Sequence, residues 1–183
     1  MTEESTFLDI GSGFAIPSIS LQYILGCETY GVEANEARFK SSKEFIRLLV
    51  NDKLAIGVDL QSKVHLEYGN ACSTKAAFTT NDNRHISHIF AYNYAQVNCK
   101  KYMPGVVARL NNTNFKLLAW SANPYYTLKK FKLKADYLGN IRAATSGGEN
   151  HTMFFYAKKP KHTTRVMTKP VHVAIEKLIE EVK

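Results

Sequence analysis

Cysteine is scarce in this chain, and the three that occur, Cys27, Cys72 and Cys99, stand far apart. An odd number at such spacing builds neither a disulfide framework nor a zinc pattern. It reads as reduced thiols packed in the core of an intracellular protein. Apolar runs are short: none approaches the roughly 20 residues that cross a bilayer, and no signal peptide precedes Phe7. The six histidines show no close ligand spacing, and His85 and His88, three apart, fall on a loop and a strand edge. No membrane segment and no metal site are expected. No Ser-His-Asp set can be assembled, and the glycine pattern of a nucleophile elbow is missing. Internal repeats and low-complexity stretches are also lacking.

What is present fits one folded domain. The 183 residues are 45% apolar and 22% charged, enough for a true core in an ordinary globular protein. The net charge of +8 is unevenly spread. Lys129, Lys130, Lys132 and Lys134 form one cluster, and Lys158, Lys159, Lys161, His162 and Arg165 a second. Such clusters favour a polyanionic partner, a nucleosome or an RNA.

Phe7 to Ile10 reads as a buried strand ending at Gly11. Pro17 suits the first turn of a following helix, with Ile19, Leu21, Ile24 and Leu25 as its apolar face and Gly26 as its end. Thr29 to Glu33 is a second strand. A helix from about Glu36 to Val50 turns Phe39, Phe45, Ile46 and Leu49 inward. Val64 and Leu66 mark a third strand closed by Gly69, Ile86 to Tyr92 a fourth, and Phe115 to Trp120 a fifth. Val97 to Leu110 reads as a helix interrupted near Pro104. Ile141 to Thr145 and Thr152 to Ala157 flank a turn-rich loop, as in an antiparallel hairpin. Strands alternating with helices imply an α/β fold, a doubly wound, mostly parallel sheet with helices on both faces and the hairpin closing it. Residues 1–160 form the expected domain, and 161–183 a basic linker and a C-terminal helix from Val171 to Val182. Asn123 to Lys134 and Lys158 to Lys169 are the linker candidates.

Chemistry concentrates where the first strand gives way to the first helix. In Asp9-Ile10-Gly11-Ser12-Gly13, glycine lets backbone approach a ligand, and the helix start presents unpaired N–H groups. Glu33 lies twenty residues beyond Gly13, at the end of the second strand, where a carboxylate can accept both hydroxyls of an adenosine ribose. A dinucleotide fingerprint would need a third glycine at position 16, which is Ile16. S-adenosylmethionine carries an ammonium and a sulfonium but no phosphate, and it suits the acidic Asp9 better than a phosphate cradle would.

These segments resemble known sequences. Phe7-Leu8-Asp9-Ile10-Gly11-Ser12-Gly13 looks like the first motif of the seven-stranded methyltransferases, and Tyr30-Gly31-Val32-Glu33 like their second-strand acidic motif. More narrowly, with Gly69-Asn70-Ala71 and Tyr92-Asn93-Tyr94-Ala95-Gln96, the chain resembles the disruptor-of-telomeric-silencing family of histone lysine methyltransferases over roughly residues 7 to 121. The resemblance implies a Rossmann-like methyltransferase fold. It also implies S-adenosylmethionine held by Asp9, Gly11, Ser12, Gly13, Glu33, Asn70 and Ala71, with Tyr92, Asn93 and Tyr94 at the transferring centre. Ala71 replaces the family's aromatic neighbour of adenine, and Tyr92 replaces its first asparagine.

The implied activity is methyl transfer to a nitrogen of a macromolecule, with a protein lysine in the nucleus favoured. An RNA methyltransferase and a catalytically degenerate scaffold subunit are the alternatives. Because the first strand begins six residues from Met1, the cofactor's cover is expected to come from elsewhere, to come from a partner chain, or to be absent.

Overall fold

A computed structural model describes residues 1–51, 59–72, 86–92, 96–121, 128–144 and 150–158, except for the side chains of 96–101, 129, 143, 144 and 150. The expected alternation is present. β1 (Thr6–Ile10) leads through α1 (Ile16–Leu25) to β2 (Glu28–Glu33), then α2 (Glu36–Asn51), a short α3 (Leu60–Lys63) and β3 (Val64–Tyr68). β4 (His88–Tyr92), α4 (Gln96–Asn112), β5 (Leu117–Ser121), a 3-10 turn (Leu128–Phe131), β6 (Asp136–Ala144) and β7 (Asn150–Ala157) complete it. The sheet has seven strands in the order β3-β2-β1-β4-β5-β7-β6. β1 to β5 run parallel, and β7 is antiparallel to both β5 and β6. Strand order reverses direction at β1, which makes the crevice beyond the carboxyl ends of β1 and β4 the natural ligand position.

Alternation along the strands divides the core. On one face Leu8, Val32, Ile89, Ala91, Leu118 and Trp120 pack with Met103, Val106, Val107 and Leu110 of α4. On the other, Ile46, Leu60 and Val64 form a smaller cluster with Ile19, Leu49 and Leu66, beneath α1, α2 and α3. Such burial supplies most of the stabilisation, at about 25 cal/mol per Å² of apolar area.

Several sequence expectations need correction. α1 turns Ser18 and Gln22 to the sheet, and Ile24, expected inside, is 72% exposed. Left-handed Ala15 and Gly26 delimit the helix and fix its phase; of the expected face, Ile19 reaches the core. Phe45 is also exposed, whereas Ile46 of the same expected α2 face is buried. α4 runs without a break through Pro104. That residue lies on the exposed side, where the carbonyl it leaves without a helical donor can meet water. β6 starts five residues before Ile141 because Gly139, at φ +144°, sits at a register irregularity that absorbs the turn-like Gly139-Asn140 pair. Part of the linker candidate Asn123 to Lys134 is anchored, since Leu128 is fully buried. Residues 122–127, and the tail from Lys159 onward, lie outside the described residues.

Candidate functional site

β1 delivers the chain to its glycine turn at the sheet's carboxyl edge. Gly11 and Gly13 take φ values of +78° and +55°, which side-chain-bearing residues adopt only under strain. The N–H groups of Gly11 and Ser12 both donate to the Val32 carbonyl, at 2.8 and 3.1 Å, so β2 holds the turn. A Cβ on either glycine would meet nothing within 4 Å. The space beside the turn is open, and a ligand can lie directly on backbone. α1 then begins at Ala15 with no side-chain cap, leaving its first N–H groups available.

Glu33 is 3% exposed and firmly placed. Its Oε2 accepts from Gly13 N–H at 2.8 Å. Its Oε1 accepts from Asn35 N–H at 2.7 Å and from Arg38 Nη2 at 3.2 Å. A carboxylate offers about four acceptor positions, so Oε2 retains room for a further donor. Asn35 caps α2 by accepting from Arg38 N–H at 3.0 Å. Asn35 and Arg38 are site residues that the sequence reading missed. The signal was there, an asparagine ahead of a helix with a basic residue three positions on. Gly31 was missed as well: a Cβ there would come within 2.7 Å of Leu66 Cδ2 and 2.9 Å of Ser12 Cβ.

Asp9 is 2% exposed, and its Oδ2 has no hydrogen-bond partner among the described residues. Burial, and then the nearby negative charge of Glu33, push its pKa from 3.8 to about 7. Two carboxyl groups under a glycine turn repel a phosphate and attract a cation.

Asn70 and Ala71 follow β3, whose exit is tied to the site by Gly69 N–H donating to the Glu33 carbonyl at 2.9 Å. The turn is pinned on α4. Arg109 Nη1 donates to the Ala71 carbonyl at 3.1 Å, and Cys72 Sγ to the Tyr102 carbonyl at 3.1 Å. Asn70 Oδ1 accepts from Cys72 N–H at 2.9 Å, so an adenine contact through that oxygen would replace an internal bond. Tyr92 ends β4 half-buried, its ring 5.3 Å from that of His151 in an edge-on arrangement. His151 carried no sequence signal, because the contact depends on how β7 registers against β5. Asn93 and Tyr94 lie outside the described residues.

The basic clusters fall elsewhere. Lys130, Lys132 and Lys134 are exposed, but Lys134 N–H donates to Asn111 Oδ1 at 2.7 Å, at the carboxyl end of α4. That helix end leads into the start of β5, so the lysines stand at the amino edge of the parallel strands, opposite the glycine turn. Lys158 Nζ donates to the Asn111 carbonyl at 2.7 Å and to the Thr113 carbonyl, capping the carboxyl end of α4. The side chain of Lys129 and the whole of Lys159 lie outside the described residues. Among the described residues no helix is long and apolar enough to cross a membrane, and no group of three ligating side chains is placed to hold a metal.

No protein-family model matches the chain, and no curated protein matches it. Solved structures do superpose on it. Sp1610 of Streptococcus pneumoniae, described as a "putative tRNA (m1A22) methyltransferase", aligns over 100% of this chain and 75% of its own, at 16% identity and a TM-score of 0.63. TrmN from Thermus thermophilus aligns over 86% of this chain and 45% of its own, at 13% identity and a TM-score of 0.66. The magnesium protoporphyrin IX methyltransferase ChlM from Synechocystis, solved with bound S-adenosylmethionine, covers 85% and 71%, at 12% identity and a TM-score of 0.62.

Proposed function

We propose that this domain, which has the Rossmann-like fold of class I methyltransferases with the antiparallel strands at its C-terminal end, binds S-adenosylmethionine at the β1 turn and transfers the methyl group to a nitrogen of a macromolecule, a protein lysine in first place. The observation that carries this reading is the pair of buried carboxyls beside an open glycine turn. One, Glu33, is held by three donors, and the other, Asp9, has an oxygen without a partner. A dinucleotide's phosphates would be repelled there, whereas a ligand bearing an ammonium and a sulfonium would be drawn in.

The turn 11–13 would lie along the methionine part, with Asp9 near its ammonium, Glu33 at the ribose, and Asn70 and Ala71 at the adenine. When bound, the cofactor would supply a sulfonium-borne methyl group for a substrate nitrogen. Tyr92 and His151 would wall the entry at the carboxyl edge. Low-polarity walls lower the pKa of an incoming ammonium and so favour the neutral, nucleophilic amine. Alignment of three atoms matters more here than acid–base catalysis, which gives Asn93 the role of orienting the nitrogen and Tyr94 a place in the wall.

A second reading, a non-enzymatic subunit, is favoured by one feature: Arg38 and two backbone amides already take three of the roughly four acceptor positions of Glu33. Calorimetric titration with S-adenosylmethionine, followed by radiolabelled transfer to nucleosomes, total protein and total RNA, separates the two. Labelling of nucleosomes that falls about 10²-fold in Asn93→Ala with cofactor affinity intact supports the first. Labelling of RNA alone replaces the protein substrate with a nucleic acid. Inactivity on all three substrates overturns the enzymatic reading.

A further inference from the structure

The three donors on the Glu33 carboxylate are not equivalent. Gly13 N–H reaches Oε2 at 2.8 Å from a turn that the Val32 carbonyl fixes. Asn35 N–H reaches Oε1 at 2.7 Å. Asn35 is itself fixed, since its side chain accepts from Arg38 N–H at 3.0 Å and its carbonyl from Phe39 N–H at 2.9 Å. These two donors are backbone groups, and neither can leave without undoing the glycine turn or the start of α2. Arg38 Nη2 makes the longest of the three contacts, 3.2 Å to Oε1, and ends a side chain that is 56% exposed. A guanidinium so open to water gains little from its contact, and a ligand can displace it. Lys40, the next cation along the helix, is held by Glu36 at 2.7 Å and leaves Oε1 to Arg38.

Each carboxylate oxygen offers about two acceptor positions. On Oε1 both are taken, by Asn35 and Arg38, whereas Gly13 takes one on Oε2. A ribose placed on this carboxylate brings two neighbouring O–H donors, one for each oxygen. It meets one open position and one that a guanidinium already fills. We propose that Arg38 is a specificity-determining residue of the site: it holds Oε1 against the second hydroxyl, so that Glu33 reads one hydroxyl of the ribose firmly and the other weakly. The inference rests on the reading of Glu33 as the ribose anchor and adds a selectivity to it. A nucleoside that lacks the weakly read hydroxyl binds nearly as well as the full ribose, and one that lacks the firmly read hydroxyl does not. Because Arg38 is the single displaceable donor of the three, its removal opens Oε1 without disturbing the turn or the Asn35 cap.

Calorimetric titration of the full chain with S-adenosylhomocysteine and its 2′-deoxy and 3′-deoxy analogues tests this. That ligand lacks the sulfonium charge, so Arg38 acts on it through the hydroxyls and not by repelling a cation. Wild type should lose about tenfold or more in affinity with one analogue and no more than about twofold with the other. Arg38→Met should bind the parent ligand about 2–5-fold tighter, the scale of an exposed ion pair. The analogue that wild type tolerates gains nothing from the open Oε1, so its loss relative to the parent should grow by the same factor. Arg38→Ala is the second variant, with the same outcome expected, and thermal melts of both check the fold. Glu33→Gln separates the two levels of the argument. If Glu33→Gln weakens binding but both Arg38 variants keep the wild-type losses, or bind the parent more weakly while folded, the proposal is overturned and the ribose reading stands. If wild type does not bind, or Glu33→Gln leaves its affinity unchanged, the ribose reading is overturned and the proposal with it.

Discussion

Replacing Asp9 by asparagine should stabilise the ligand-free domain at neutral pH while damaging its site. In the folded chain the Asp9 carboxyl titrates at about 7, raised by burial and by Glu33 from 3.8. Three pKa units at 1.36 kcal/mol each correspond to a cost of ~4 kcal/mol for holding it ionised above pH 7. Because the folded pKa is the higher one, stability is complete below the unfolded value of 3.8 and falls as pH rises to 7. Asparagine removes the ionisation but leaves an amide short of partners, at about 1–2 kcal/mol. The net gain at pH 8 is therefore about 2–3 kcal/mol, a rise of roughly 5–10 °C in melting temperature for a domain of this size. At pH 4 the sign reverses, since only the unpaired amide remains as a difference. A cationic ligand should ionise Asp9, so cofactor binding to wild type at pH 6 releases a proton, and Asp9→Asn binds more weakly and releases none. Thermal melts at pH 4 and 8, with calorimetry in two buffers of different ionisation heat, measure both effects. A stability change of equal size at the two pH values would refute the reasoning.

Glu33→Ala should weaken S-adenosylmethionine binding by about 1.5–3 kcal/mol; unchanged affinity in a folded variant would remove Glu33 from the ribose. Gly31→Ala drives a methyl group into Leu66 and Ser12 and should cost about 1–3 kcal/mol by overpacking, read in denaturant melts. Lys158→Met should cost about 1 kcal/mol by uncapping α4 and leave nucleic-acid retention unchanged; a loss of retention without a loss of stability would make Lys158 a partner contact instead. His88, half-buried and held down to a pKa of about 4 by burial and by the positive N-terminus and Lys116, should stay neutral in the fold. Stability is then complete above pH 6.5 and declines as pH falls toward 4, and His88→Gln should flatten that acid limb in melts across the range.

How far the sequence spoke depended on how local each feature was. The glycine turn and Glu33 were legible because one turn and one strand end carry them, and the hydrogen bond from Gly13 to Glu33 joins the two features that the spacing had singled out. The phase of α1 was not legible. Ile24 and Leu25 are as apolar as Ile19, and left-handed Ala15 and Gly26, not hydropathy, decide which side faces the sheet. Lys158 read as one more member of a basic run, yet it lies 45 residues from Thr113, whose carbonyl it caps. No window on the sequence joins them until β7 is laid beside β5. The same register brings His151 to Tyr92.

Laying charge onto topology separates two features that composition merges. A net charge of +8, with its two basic clusters, suggested a polyanionic partner. The described part of the lysine cluster sits instead at the amino edge of the strands, tied to the end of α4. The carboxyl edge carries the buried acids Asp9 and Glu33. Five-residue parallel strands put about 17 Å between these edges, beyond the roughly 8 Å Debye length at physiological ionic strength. The lysines therefore neither neutralise the acidic pocket nor contact a group reacting there. A partner that met both the lysines and the reacting edge would have to span the domain, which a nucleosome or a folded RNA can do and a free nucleotide cannot.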